Sequence, residues 1–263
     1  MNVSLPRPDP ATGYWGLQQT DRRCADQRFQ LLHAAAPPEK IVAHGHANPH
    51  AVFTFAGTYL TAANKETVPL ATAALVINPP DMWHRDRYAR GTGSFLAIDL
   101  PRGVPGTAEP SVVRDAGTVF ACLRLVRQLP DAETLLLQEA SRAIICGQEG
   151  TPHKAGSRLH RAYAAIMDSE TPERLDLAQL SQLAECHPNH VSSAFRTRFG
   201  ISAARLLRRR RIERACILLR EKDRPLADIA LQLGFTDQAH FSRVFSAEMG
   251  APPGRWRRRN AEL

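Results

Sequence analysis

The sequence predicts an α+β protein, with a β-rich N-terminal part and two helices followed by an all-α part of two helix-turn-helix units joined by a long linker helix. Three observations carry that expectation. Between about Arg28 and Leu100 the apolar runs are short or alternating (FQLLHAA, AVFTFAGTYL, AALVINPP, SFLAIDL) and separated by Pro, Gly and Asn, a pattern of strands that fits a small β-barrel or sandwich. After Pro110 the apolar residues recur at helical intervals instead. From Arg158 onward only helical patterns remain, and two segments there resemble each other.

Taken in order, residues 1–27 read as an extended arm, because Pro6, Pro8 and Pro10 punctuate its first ten residues. Residues 28–148 hold the strands and then TVFACLRLVRQL and AETLLLQEASRAIICGQ, predicted as amphipathic helices at about 116–128 and 132–147 with a break at Leu129-Pro130-Asp131. Their Leu, Val and Ile residues suit either a helix–helix interface between two copies of the chain or packing against the strands. Residues 149–157, within GQEGTPHKAGS, read as a linker, and residues 158–260 as the helical domain.

Charge divides at the same place. The chain has 263 residues and a net charge of +8. Residues 1–150 carry 14 Lys and Arg against 14 Asp and Glu, while residues 151–263 carry 20 against 12. The basic excess therefore lies in the helical part, where it suits a polyanion or an anionic membrane surface. Cys24, Cys122, Cys146, Cys186 and Cys216 form no C-x-x-C pair and read as reduced thiols. The N-terminus lacks the layout of a signal peptide, and no apolar run reaches the ~18 residues of a membrane span. The expectation is a cytoplasmic protein with no membrane association. No nucleophile elbow, phosphate-binding glycine loop or paired-carboxylate motif is present, which argues against an enzyme.

The two similar segments are LDLAQLSQLAECHPNHVSSAFRTRFG (175–200) and RPLADIALQLGFTDQAHFSRVFSAEMG (224–250). Their first helices align at an offset of 49, pairing Leu177 with Leu226 and Leu180 with Ile229; their second helices align at 50, pairing Phe195 with Phe245 and Gly200 with Gly250. Each second helix has one apolar stripe, Val191, Ala194, Phe195 and Phe199 in the first and Phe241, Val244, Phe245 and Met249 in the second. The opposite faces present Asn189, Ser192, Ser193 and Arg196, and Gln238, Ala239, Ser242, Arg243 and Ser246. Such side chains can reach base edges and phosphates in a major groove, since Gln suits adenine, Arg suits guanine and Ser is permissive. Between the units, SAARLLRRRRIERACILLREKD predicts a helix of roughly 18 residues and about 27 Å, long enough to set two recognition helices near one turn of DNA apart. Arg208, Arg209, Arg210 and Arg211 on it are candidate phosphate contacts, with some of them pairing with Glu213 or staying solvated.

Residues 158–259 resemble the DNA-binding domain of the AraC/XylS family, and DIALQLGFTDQAHFSRVFSAEMGAPPGRWRR is closely similar to that family's signature. The first unit departs from the pattern: Glu185 and Cys186 stand where a Gly and an apolar residue are common, and Ser193 where an Arg often reads bases. The resemblance implies double-stranded DNA and RNA polymerase as partners, a homodimer, and regulation, more often activation, by an effector held in an N-terminal cupin-like barrel. Residues 28–100 are similar to such a barrel: HGHANPHAVFTFAG places His44, His46, His50 and Gly57 at first-motif spacing with His in place of the usual Glu. NPPDMWH supplies a second-motif remnant ending in His84, with Asp81 where a Gly is usual.

Two readings of His44, His46, His50 and His84 stay open at this point. They bind a divalent transition metal, for which imidazole nitrogen suits Zn, Fe, Ni or Cu, or they line the pocket of an organic effector. Phe53, Phe55, Tyr59 and Trp83 are either pocket walls or core. A metal-dependent enzyme fused to a DNA-targeting module and a constitutive architectural DNA binder are the alternative functions, separated by substrate turnover and by ligand-independent DNA affinity.

Overall fold

In the computed structural model, the described residues are 16–24, 27–61, 69–104, 107–132, 134, 137–138 and 158–260. Most of the predicted arm and of the second predicted helix (132–147), and the whole of the linker (149–157), lie outside them. The chain divides into two compact units, residues 1–67 with 73–154 and residues 68–72 with 155–263.

Unit 1 is an antiparallel sheet structure. Its strands are β1 (Leu17–Cys24), β2 (Gln27–Ala35), β3 (His50–Ala56), β4 (Tyr59–Leu60), β5 (Ala74–Asn78), β6 (Arg87–Tyr88), β7 (Thr92–Asp99) and β8 (Ser111–Val113). Six of them pair in the order β1-β2-β7-β3-β5-β8, and β4 pairs with β6 in a separate ladder. Among the described residues the six-stranded ladder ends on β1 and β8, so the expected closed barrel is not formed: β4 and β6 satisfy their backbone groups on each other and do not bridge the edges. Phe29, Ala51, Phe53, Leu75, Ile77, Leu96 and Ile98 are wholly buried and form the core on β2, β3, β5 and β7. One element sits where the arm was expected. Residues 17–24 are an edge strand, held by a two-pronged ion pair from Arg28 to Asp21 and by Gln30 donating to Gln18 at 3.0 Å.

Helix α1 (Ala116–Gln128) follows, and Asp115 caps it by accepting from the Gly117 and Thr118 N–H groups at 2.9 Å each. Its Val119, Cys122, Leu123 and Leu125 are buried within unit 1, so this helix spends its apolar stripe on its own core.

Unit 2 is helical: α2 (Arg158–Asp168), α3 (Leu177–Ala184), α4 (Pro188–Phe199), α5 (Ala203–Leu218), α6 (Leu226–Gln232), α7 (Gln238–Met249) and α8 (Pro253–Asn260). Helix α5 is the axis of the unit. Leu206, Leu207, Ile212, Ala215, Cys216 and Leu218 bury nearly its whole circumference, with α3–α4 and α6–α7 as the flanking pairs. At 16 residues it is about 24 Å long, slightly shorter than expected. Tyr163 of α2 packs on Phe199 of α4 with ring centroids 4.4 Å apart, and Trp256 of α8 meets Phe245 of α7 edge-on at 6.0 Å. Residues 68–72, counted with this unit, bring the Ala71 and Thr72 N–H groups to the buried Glu213 carboxylate at 2.8 and 3.2 Å. No helix among the described residues is long and apolar enough to cross a membrane.

Candidate nucleic-acid interface and histidine cluster

Helices α4 and α7 repeat one design at an offset of 50 residues. Val191, Phe195 and Phe199 are buried on α4, and Phe241, Phe245 and Met249 on α7. Asn189, Ser193 and Arg196 are exposed on the former, and Gln238, Ala239 and Arg243 on the latter, with Ser192, Ser242 and Ser246 half-buried beside them. Both helices end at a left-handed glycine, Gly200 and Gly250, whose N–H returns to the carbonyls of Arg196 and Ser246. Ser193 donates its hydroxyl proton to His190 O at 3.1 Å and Ser246 to Ser242 O at 2.7 Å, which leaves these two hydroxyls as acceptors toward a ligand.

The arginine run on α5 is narrower as a phosphate surface than its composition suggests. Arg208 is exposed. Arg209 is 8% exposed and forms an ion pair with Glu248 of α7 at 3.3 Å. Arg210 binds Glu213 and donates to Met167 O at 2.8 Å, closing the C-terminus of α2. Arg211 reaches the carbonyls of Pro172, Glu173 and Leu175, the loop that leads into α3. Three of the four predicted phosphate contacts are thus committed to the interior of the unit. The reason is geometric: consecutive residues point about 100° apart on a helix, and this helix is surrounded by loops and termini whose carbonyls need donors. Arg257 of α8 does the same for the loop before α6, donating to Lys222 O and Arg224 O.

In unit 1 the predicted histidines converge, but unequally. An isolated antiparallel bridge pairs the backbones of His44 and His84, with N–H to O distances of 3.0 and 2.9 Å. The rings of His44 and His84 lie 4.6 Å apart, and those of His46 and His84 5.3 Å. One nitrogen from each of His44, His46 and His84 falls within a set no wider than 4.8 Å. His50, 2% exposed on β3, has its ring 4.0 Å from that of His46 and 5.3 Å from that of His84, and accepts through Nε2 from Asn78 Nδ2 at 3.0 Å. Burial, and then the proximity of the other imidazoles, pushes the His46 pKa down to about 4 and holds His44 and His50 below the ordinary histidine value.

Asp86 had not been singled out as a site residue. Its Oδ2 lies 3.1 Å from His84 Nδ1 and accepts from the Tyr59 hydroxyl at 3.0 Å. The sequence signal was the spacing His84-x-Asp86, which in an extended segment returns both side chains to one side. Asp81 stands at φ 59, the left-handed conformation that accounts for a Gly being usual in the motif it resembles. A cavity of about 40 Å³ opens onto His44, His84, Asp86, Tyr59, Tyr88 and Phe95, and a solvent-open cleft of about 410 Å³ lies on the His44, His46, Asp81 and Trp83 side. Phe53 is core at 0% exposure, whereas Trp83 is 74% exposed and stands at the cleft.

A helix pair carrying a polar row over an apolar stripe is thus present twice around one axial helix. A family model described as "Helix-turn-helix domain" matches residues 180–259. The chain is 32% identical over 126 residues (48% of this chain, 45% of the relative) to the arabinose operon regulatory protein of Salmonella typhimurium. It is 46% identical over 66 residues (25% and 24%) to the HTH-type transcriptional activator RhaR of Klebsiella pneumoniae. Among solved structures, the C-terminal domain of AraT, a response regulator from Geobacillus stearothermophilus, shares 28% identity over 41% of this chain and 88% of that one, with a TM-score of 0.36. The chain spans less than half the length of these curated relatives. Residues 180–259 thus carry a helix-turn-helix domain of the AraC type, and the matched relatives are named as regulators of transcription.

Proposed function

We propose that this chain is a sequence-specific DNA-binding regulator of transcription, an activator, that works in the cytoplasm as a homodimer and takes an effector in its N-terminal unit. The observation that carries the reading is the repeated α4 and α7 design, in which the buried aromatic stripe fixes each helix and leaves Asn189, Ser192, Ser193 and Arg196, or Gln238, Ala239, Ser242, Arg243 and Ser246, on the free side. Side chains of this kind at the start of a second helix are what a major groove accepts. Arg243 and Gln238 supply the base-reading pair of α7, and Arg208 supplies the phosphate contact of α5. Residues 28–148 form the effector and dimerisation domain in this reading, and residues 158–260 the reader. An effector controls such a protein by favouring one arrangement of the domains over another, with RNA polymerase contact or operator occupancy as the output.

The test is selection of duplexes from a random DNA library by the full chain, followed by titration of the selected site and a scrambled one at several salt concentrations. A selected site bound at least about 1000-fold more tightly than the scrambled one supports the reading, and equal affinity for both removes it. In the same titrations Arg208→Ala flattens the salt slope by about one phosphate contact, while an unchanged slope places Arg208 off the backbone.

A further inference from the structure

We propose that His44, His46 and His84 form a site for one divalent first-row transition ion, with Zn(II) the best fit, and that Asp86 is the residue that orients His84 toward it. The ion's role as effector rests on the regulatory reading above, whereas its uptake does not.

Three observations meet at this place. First, the imidazole nitrogens of the three residues already lie within 4.8 Å of one another. Donors at about 2.1 Å from an ion span up to about 4.2 Å across it, so small ring rotations close the set. Second, ring nitrogens are left available for an ion. His44 Nδ1 lies 3.2 Å from Val42 O, a carbonyl that can only accept, so the proton sits on Nδ1 and Nε2 is left as a donor atom. Asp86 Oδ2 lies 3.1 Å from His84 Nδ1, close enough to take a proton there once the ring turns. Both ring nitrogens of His84 are buried without a hydrogen bond among the described residues, a costly arrangement that an ion on Nε2 and Asp86 on Nδ1 would together satisfy. A carboxylate on the far nitrogen of a ligating imidazole is the usual device for fixing its tautomer and raising its basicity. Third, the cavity adjoining His44 and His84, at about 40 Å³, is far below the ~300 Å³ or more that a drug-sized ligand occupies. It has room for an ion's bound water. His44 and His46 also border the open cleft beside Trp83, which gives an ion a path inward from solvent.

Three imidazoles satisfy three positions of a tetrahedral ion and leave one for water or for an oxygen donor entering from the cleft. His50 is not a ligand in this assignment, because it faces Asn78; it packs against the His46 ring and positions it.

The experiment uses the full chain, stripped with chelator, dialysed, and reloaded with Zn(II) or Co(II). The readouts are elemental analysis, calorimetry and, for Co(II), the visible d–d absorption. The expected result is one ion per chain in the wild type and uptake reduced at least tenfold in His44→Ala, whose half-buried ring can be removed without opening the core. Asp86→Asn is expected to keep the stoichiometry and weaken affinity about 10- to 100-fold. Thermal melting and binding to non-specific DNA confirm that each variant is folded. A folded wild-type chain that takes up neither ion, or a His44→Ala variant that takes up ion as well as the wild type does, overturns the site. Unchanged affinity in Asp86→Asn overturns the role given to Asp86. Ion uptake is read without DNA, so failure here is distinguishable from failure of the regulatory reading.

Discussion

The two helix-turn-helix units share a backbone plan but differ at several positions where a side chain is free to vary. In the turn of the second unit, Gly234 takes φ 71 at no cost; in the first, Glu185 takes φ 48, which a side chain disfavours, and its carboxylate is then used by Arg158 and Arg161 of α2 at 3.1 and 2.6 Å. The cap of α7 is Asp237, accepting from the His240 N–H at 2.7 Å, while the cap of α4 is His187, accepting from the Asn189 N–H at 3.3 Å. On the exposed rows, Arg243 stands where the first unit has Ser193. The difference teaches that the buried stripe is kept in both units while the exposed rows diverge, Arg243 standing against Ser193 and Ser246 against Arg196.

The largest expected effect tests the shared part. Phe195→Ala and Phe245→Ala each remove a wholly buried ring and are expected to cost about 3–5 kcal/mol of stability, measured by denaturant unfolding of the full chain. A loss in only one of the two would show that the units are not equal as packing frames. Next, Arg243→Ala is expected to weaken binding to a selected site by about 1–3 kcal/mol with a much smaller change on scrambled DNA, whereas Ser193→Ala leaves both nearly unchanged. Equal effects from the two substitutions would break the asymmetry. Asp237→Ala should then cost about 1 kcal/mol of stability, and His187→Ala less than about half of that, because a neutral ring nitrogen at a longer distance is the poorer acceptor. The smallest effect belongs to the turn. Glu185→Gly relieves about 1 kcal/mol of left-handed strain and removes two exposed ion pairs worth roughly 0–1 kcal/mol each, so the melting temperature should barely move.

Much of unit 2 was legible because its helices have one buried face each, and a buried face writes itself as a period of 3.6. The stripe of Phe241, Phe245 and Met249 is readable for that reason, and so is the polar row behind it. The arginine run was not legible in the same way. Composition places four like charges at the surface, but α5 is enclosed, and only the neighbouring carbonyls of Met167, Pro172 and Leu175 show where Arg210 and Arg211 go. In unit 1 the central strands were read from their apolar runs, whereas β1 was hidden in the arm because LQQTDRRC has no alternating apolar pattern. Its pairing comes from cross-strand polar contacts such as Arg28 to Asp21.

By itself, the sequence determined the division into a β-rich and a helical part, the doubled helix pair and the four histidines, since each follows from local periodicity or spacing along the chain. Only the tertiary structure decided that the sheet ladder stays open, that three histidines converge while His50 turns to Asn78, that Asp86 backs His84, and that Arg208 alone of its run faces solvent. Those outcomes depend on which groups meet across long separations. A linear pattern states what a residue can do; the enclosure around it settles which of those things it does.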